Sequence, residues 1–374
     1  MLRSVLGQGV AQKSRLGSVF SQRLLPIDSK VCGAYGNRLD SLRFQSSSLD
    51  DITTADICVI GGGPIGTEVA RLSSLIGLSG STVVVDPRGC LLAAPTGYVS
   101  KVLLDVSNQV AAGRRGSRFV WDYAEEHLAN TANRALNLTR MQFDNLGSGQ
   151  MPNVLAAHAS FVGIDDQDGE YLIRATSSSD EDNNSSATTI KAKTVFVATG
   201  SRSTRLPSLP WDSSDSAACS FLYDSDSIRS IGRVPEHIVI QGGGLIGVEY
   251  AFIFRRLGSR VTLCLREAAV LEGKAVDDSI GRAVGKRLHE AGVEVRYGDG
   301  DIAKIDLPEP ECSMTGKVAL QQSGDVLVCD ALLSALGRRG CADCLDIETA
   351  NLSPHDDMGH LPIDDDLRAL TTCK

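Results

Sequence analysis

From residue 56 onward, short wholly apolar runs alternate with longer segments in which apolar residues recur every three or four positions. "DICVI" (56–60) reads as a strand buried on both faces, "TEVARLSSLIG" (67–77) has helical spacing, and "TVVVD" (82–86) is a second buried strand. The three predict a βαβ unit with parallel strands. Residues 101 to about 141 again have helix-compatible spacing, with Trp121, Tyr123 and Leu128 as core positions. "VLAAHASFVGIDDQDGEYLIRATSS" and "TIKAKTVFVATG" then alternate in the two-residue period of an antiparallel meander. The stretch between them, "SSSDEDNNSSATT", is too polar to bury and predicts a solvated hairpin loop.

A Pro/Ser-rich connection, "LPSLPWDSSDSAACS" (206–220), marks a border. Beyond it "EHIVIQGGGLIGVEYAFIFRRLGSRVTLCLRE" (236–267) opens a second βαβ unit, an internal repeat of the first at about 180 residues. A helix over about 277–291, the strand "VEVRYG", a hairpin within 303–329 and the strand "ALLSALG" follow. The expected fold class is α/β, with two Rossmann-like, three-layer ββα nucleotide-binding domains, the second inserted in the first. The expected boundaries are 54–211 for the first domain with its meander, 233–340 for the second, and 341–374 for the start of a return to the first.

Each unit carries a G-x-G-x-x-G turn between its first strand and its helix. In the first, Gly61 makes the tight turn, Gly63 lets the backbone approach a pyrophosphate, and Gly66 lets helix and strand pack closely. The helix N-terminus adds free N–H groups for the anion. Asp86 stands 20 residues after Gly66, the spacing at which a carboxylate accepts ribose hydroxyls. The second turn is Gly242, Gly244 and Gly247. Where an acid would follow, the chain has Leu265, then Arg266 and Glu267. Arginine there suits the extra 2′-phosphate of NADP(H), while Glu267 could still serve NAD(H).

Composition narrows the classes. The first 48 residues hold seven lysines and arginines against two aspartates, so the net charge of −9 conceals a body at −14. A body that acidic is not expected to seek nucleic acid or anionic lipid. No run of 18 apolar residues occurs, and no membrane span is expected. The Arg- and Ser-rich start, with no acid before Asp28, has the composition of a transit peptide, which predicts a mitochondrial matrix location with a plastid as second choice. A disordered tail over 1–48 is the alternative. Cys58 and Cys264 fall inside strands, the other eight cysteines are scattered, and the six histidines form no ligand-spaced cluster, so neither a disulfide framework nor a metal site is expected. "CADC" (341–344) reads as a lone C-x-x-C in a polar loop.

Two glycine turns flanking "VFVATGSR" (195–202) resemble the pyridine nucleotide-disulfide oxidoreductase family, over about 54–374. "GVEYAFIFRRLGSRV" and "ATGSRSTRLPSLP" are most similar to its soluble transhydrogenase branch. The resemblance implies FAD on Gly61, Gly63, Gly66 and Asp86, closed over by Thr199 and Gly200. It implies NADP(H) or NAD(H) on Gly242, Gly244, Gly247, Arg266 and Glu267. Family disulfide reductases carry C-x-x-x-x-C-x-x-S-K after the first unit. Here Ser100 and Lys101 are kept, but the cysteine positions hold Leu92 and Gly97, and Cys90 is out of register. Thiol exchange needs two facing sulfurs, so lipoamide, glutathione and mercuric substrates are not expected.

The resemblance also implies a lysine beside the flavin N5 paired with a glutamate two residues after the last glycine of the second turn, here Lys101 and Glu249. Taken alone, each has a plain reading, as a solvated helix residue and a first-turn acid. Together they imply an FAD-dependent NAD(P)H oxidoreductase, transhydrogenase-like, moving hydride between NADPH and NAD⁺ or another acceptor. The alternatives are a non-catalytic NADP(H)-binding relative and a remnant of dihydrolipoamide dehydrogenase. "HLPIDDDLRALTTCK" resembles the segment before the family's flavin-binding Gly-Asp turn, and the chain stops before that turn and the interface domain. Weakened FAD affinity and exposed apolar surface are the expectations, with the family homodimer expected of a longer relative rather than of this chain.

Overall fold

The first nine-residue strand, β1 (Ile52–Ile60), becomes wholly buried at its C-terminal end because strands and helix cover it on every side. It belongs to a computed structural model that describes residues 52–78, 81–89, 96–113, 120–144, 152–177, 187–211, 220–308 and 315–372. The expected transit segment, Leu92 and Cys90 lie outside the described residues.

Helix α1 (Pro64–Leu75) crosses from β1 to β2 (Thr82–Val85), and the face it buries is Gly66, Thr67, Ala70, Ser73 and Ser74. Small side chains let it settle on Ile57, Val59 and Val84, and Pro64 at its first position, where the missing N–H costs nothing, presets φ for the helix start. Thr82 and Ser73 join their hydroxyls at 2.9 Å, which satisfies the polar atoms buried on that face. Beside β1 and β2 run β3 (Asn153–Leu155), β4 (Ala157–Ile164), β5 (Tyr171–Ser177) and β6 (Ala187–Val197), in the order β3-β2-β1-β6-β5-β4. Strands β3, β2, β1 and β6 are parallel, and β6-β5-β4 antiparallel. The long β6 belongs to both patterns, pairing with β1 from Thr189 to Val197 and with β5 from Ala187 to Ala192.

The single helical stretch expected over 101–141 is instead two helices, α2 (Thr96–Ala111) and α3 (Val120–Asp144). Gly113 takes φ +67° and closes the first, a conformation that side-chain-bearing residues resist. Val99, Val102, Leu103 and Val106 of α2, with Trp121 of α3, pack into the core of the second sheet rather than the first.

That second sheet is wholly parallel. It contains β8 (Leu222–Asp224), β9 (His237–Gln241), β10 (Arg260–Leu265), β11 (Glu294–Tyr297) and β15 (Ala331–Ser334), in the order β11-β10-β9-β15-β8. On one face lies α4 (Leu245–Leu257), and α5 (Asp278–Glu290) precedes β11, its N-terminus capped by Asp277 accepting from the Ser279 N–H at 2.8 Å. The other face meets a three-stranded antiparallel sheet, β12 (Ile302–Asp306), β13 (Gly316–Leu320) and β14 (Val326–Cys329), where Phe221, Val239 and Leu332 meet Val318 and Leu327. The region expected as one hairpin is thus a three-strand meander, which supplies the third layer. The fold is α/β with two Rossmann-like units.

Where the chain passes between the units, β7 (Ser201–Ser203) and β16 (Arg338–Gly340) form a two-stranded antiparallel ribbon. After the ribbon, Ala342, Leu345, Ile347, Ala350 and Leu352 enter the core formed by β1, β2, β4, β5 and β6, and the Phe161 N–H donates to the Leu345 carbonyl at 2.8 Å. Among the described residues no helix is long and apolar enough to cross a membrane.

Candidate functional site

The two glycine turns repeat one another bond for bond. The Gly61 N–H donates to the Val85 carbonyl at 2.8 Å, and the Gly242 N–H donates to the Cys264 carbonyl at 2.8 Å. Both glycines hold a positive φ, +109° and +111°, and press against the strand that closes the sheet. A Cβ would fall 2.3 Å from the Ala198 oxygen at Gly61 and 2.6 Å from the Ala335 oxygen at Gly242. At the third glycine the approach is closer, with a Cβ on Gly66 at 1.8 Å from the Gly61 oxygen and one on Gly247 at 1.9 Å from the Gly242 oxygen. The middle glycines, Gly63 and Gly244, are the N-caps of α1 and α4, extended and without a side-chain cap. Among the described residues, the N–H groups of Ile65 and Gly66, and of Leu245, Ile246 and Gly247, take no protein acceptor. Each turn therefore offers an open row of donors at the positive end of a helix, the arrangement that receives a pyrophosphate.

The strand ends beside the two turns differ. In the first unit the Asp86 side chain is 2% exposed. Its Oδ2 accepts the Gly62 N–H at 2.7 Å and an Arg88 Nη2–H at 3.0 Å, while Oδ1 accepts the Arg88 backbone N–H at 2.9 Å and Nε–H at 3.0 Å. Burial acts to raise this carboxyl, but the Arg88 guanidinium and the two backbone donors outweigh it and hold Asp86 below the ordinary carboxylate range. With four bonds, the carboxylate has its acceptor positions filled. Accepting ribose hydroxyls would require the Arg88 side chain to leave. Arg88 was not singled out from the sequence, although a cation two residues after the acid was the available signal.

In the second unit the equivalent position is buried Leu265, whose Cδ1 would lie 2.7 Å from a Cβ on Gly243. Among the described residues no carboxylate ties this turn. Arg266 is exposed and makes no ion pair among the described residues, and Glu267 is half-buried. Lys274, also missed in the sequence, runs over the turn, since a Cβ on Gly244 would meet its Cε at 3.6 Å. Two cations thus flank the second turn.

Thr199 and Gly200 follow Ala198, whose N–H donates to the Ile60 carbonyl at 2.8 Å, which sets them beside the first glycine turn. Gly200 takes φ +70°. Lys101, on α2, and Glu249, on α4, are 148 positions apart, and their Nζ and Oε1 meet at 2.8 Å. Glu249 lies in the second turn of α4, so the plain reading as a first-turn acid does not apply. The lysine side chain is 69% exposed and the glutamate 25%. Gly97 is at the start of α2, as its second residue. Cys58 and Cys264 are buried, and burial pushes both thiols up to about 12, which leaves them inert core residues.

Residues 55–373 match the family model for pyridine nucleotide-disulphide oxidoreductases. The chain belongs to this family. Among curated oxidoreductases of the family, a soluble pyridine nucleotide transhydrogenase of Colwellia psychrerythraea is 34% identical over 176 residues, 47% of this chain and 34% of that protein. Dihydrolipoyl dehydrogenase 3 of Pseudomonas putida is 27% identical over 313 residues, 79% of this chain and 61% of that one. LpdA of Mycobacterium tuberculosis superposes with a TM-score of 0.68 at 21% identity, over 86% of this chain and 66% of its own, and shares the fold. The chain spans about a third to three fifths of the length of these curated oxidoreductases.

Proposed function

We propose that this chain binds FAD at the Gly61 turn and a nicotinamide nucleotide at the Gly242 turn, and exchanges hydride between them as a transhydrogenase-like NAD(P)H oxidoreductase. The observation that carries the reading is the duplicated turn, with two open rows of N–H donors at two helix N-termini in one chain. Two dinucleotide cradles suit a two-cofactor reaction, and the family supplies the assignment of each.

The residues fit both groups. Gly61, Gly63 and Gly66 would hold the flavin nucleotide's pyrophosphate, with Asp86 at its ribose once Arg88 releases it, and Thr199 and Gly200 beside the turn. Gly242, Gly244 and Gly247 would hold the second pyrophosphate. Arg266 would meet a 2′-phosphate, which favours NADP(H), and Glu267 would orient a ribose. Bound flavin supplies reversible two-electron hydride chemistry. Lys101 would present a fixed cation to negative charge that develops during hydride transfer, and Glu249 holds that ammonium in place. With Leu92 and Gly97 at the family's cysteine positions, that route ends at a hydride acceptor. The acidic body and the basic, Arg/Ser-rich first 48 residues support delivery to a mitochondrial matrix.

A second reading, a nicotinamide-nucleotide binder without flavin, draws support from Asp86, whose acceptor positions Arg88 and two backbone donors fill. Anaerobic mixing of the FAD-loaded chain with NADPH separates the two. Loss of the oxidised flavin band and its return on adding NAD⁺ supports transhydrogenation, whereas NADPH binding by a chain that retains no FAD supports the second reading.

A further inference from the structure

Between β10 and α5 the chain runs back past the second glycine turn, and it is fastened there at two points. Val270 and Leu271 are buried in the core of the second sheet, so the stretch is anchored rather than draped over the surface. Leu271 takes φ +63° and Gly273 φ +70°. That left-handed conformation suits glycine and strains leucine. The bond that holds Leu271 in it runs to the glycine turn itself, the Leu271 N–H donating to the Gly243 carbonyl at 2.8 Å. A strained residue is kept where its neighbours over-determine it, and such residues concentrate at ligand clamps.

The two left-handed residues reverse the chain around Glu272 and deliver Lys274. A Cβ on Gly244 would meet the Lys274 Cε at 3.6 Å. The lack of a side chain at this middle glycine is what lets a pyrophosphate reach the backbone. The lysine therefore borders the space that a pyrophosphate needs, with its ammonium one bond beyond Cε. Lys274 is exposed and forms no ion pair among the described residues. Glu272, the acid nearest to it in sequence, accepts the Ala268 and Ala269 N–H groups at 2.9 and 3.0 Å. Its carboxylate thus ties the front of the segment instead of pairing with the lysine.

Resting on the reading of the Gly242 turn as a nicotinamide-nucleotide cradle, we infer that Lys274 binds the pyrophosphate of that nucleotide from outside the glycine motif. The N–H groups of Leu245, Ile246 and Gly247 give the anion direction, and the ammonium adds a full charge that neutral amides lack. Pyrophosphate is common to NADH and NADPH, whereas the 2′-phosphate is not. Lys274 is then a residue of affinity and Arg266 one of selectivity. Because Val270, Leu271 and the bond to Gly243 hold the segment in place, only the lysine side chain has to order on binding.

The test is equilibrium titration of the full chain with NADPH and with NADH, followed by the fluorescence of the reduced nucleotide, so that no turnover is required. Lys274→Met should melt like the parent, since the side chain is exposed, and should bind both nucleotides roughly 10-fold more weakly. Its binding should also depend less on salt, and Lys274→Arg, which keeps the charge, should recover most of the loss. Parental affinity of Lys274→Met for both nucleotides overturns the inference and leaves the reading of the turn intact. Weakening confined to NADPH overturns it as well, by moving the lysine to the 2′-phosphate. A parent chain that binds neither nucleotide sinks the reading of the turn, and the role of Lys274 with it.

Discussion

Lys101 and Glu249 meet at 2.8 Å across two helices that belong to different halves of the sequence. The lysine is 69% exposed, so the pair contributes little to stability, about 0.5 kcal/mol or less. Lys101→Met and Glu249→Gln should melt within a degree or two of the parent. Under the proposed reaction, Lys101→Met should slow flavin reduction by NADPH roughly 10²-fold, as loss of a single preorganised charge does. Stopped-flow absorbance with matched thermal melts checks both; a variant that reduces flavin at the parental rate removes the lysine from the mechanism.

The glycines predict a separation between folding and binding. Gly66→Ala and Gly247→Ala drive a Cβ to within 2 Å of a backbone oxygen, so each should destabilise the chain by about 1–3 kcal/mol or more. Gly244→Ala places its methyl 3.6 Å from Lys274 Cε, an ordinary contact, in an extended backbone any residue adopts. That variant should melt like the parent and bind nicotinamide nucleotide more weakly. Calorimetric melting and equilibrium titration with NADPH measure the two effects.

Acid stability should report on Asp86. Its folded-state value is depressed, so the Asp86–Arg88 contribution is present above the unfolded carboxylate range near pH ~4 and lost as pH falls through the folded value. Arg88→Ala leaves a buried carboxylate with two backbone donors and should cost about 1–2 kcal/mol at pH 7, allowing for the guanidinium's one-third exposure. Denaturant melts of parent and variant should converge as the pH is lowered towards 3. A gap that widens on acidification would reverse the assignment.

Arg88→Ala has a second expected effect, on binding. With the side chain removed, Asp86 regains acceptor positions for ribose hydroxyls, so FAD retained after desalting should rise relative to the parent if the first turn takes FAD. A drop in retention would mean that Arg88 itself contacts the nucleotide.

Arg266→Gln examines the choice of nucleotide. A charged hydrogen bond to a phosphate contributes about 1.5–3 kcal/mol, so NADPH should bind roughly 10- to 100-fold more weakly while NADH changes little. Equal weakening of both would place Arg266 on the shared part of the nucleotide.

The parts of this molecule that were legible in the sequence are those where one residue type answers one physical need. Gly61, Gly66, Gly242 and Gly247 each occupy space in which a side chain collides with backbone, and the apolar runs of β1, β2, β9 and β10 are buried on both faces. Where the determinant was tertiary, the sequence was weaker. Residues 101 to about 141 have helix-compatible spacing, yet a helix closes at Gly113, and the apolar residues of α2 with Trp121 and Ala124 of α3 turn to the second sheet while Phe143 of α3 joins the first, a choice no local pattern records. Glu249 reads locally as a helix acid, and only the packing of α2 on α4 gives it Lys101. The saturation of Asp86 by Arg88 was equally invisible, because it depends on where a long flexible side chain comes to rest.

The short ribbon of β7 and β16 makes the exit from the first sheet and the return to it immediate neighbours, so everything from 204 to 337 is, for the first unit, one long closed loop. The segment after the ribbon then fills the first core with Leu345, Ile347 and Leu352. During synthesis the later unit therefore holds its whole sequence before the earlier one does. The first sheet has to wait, partly uncovered, until about residue 352 has emerged, and the second unit's folding is what brings that last piece within reach.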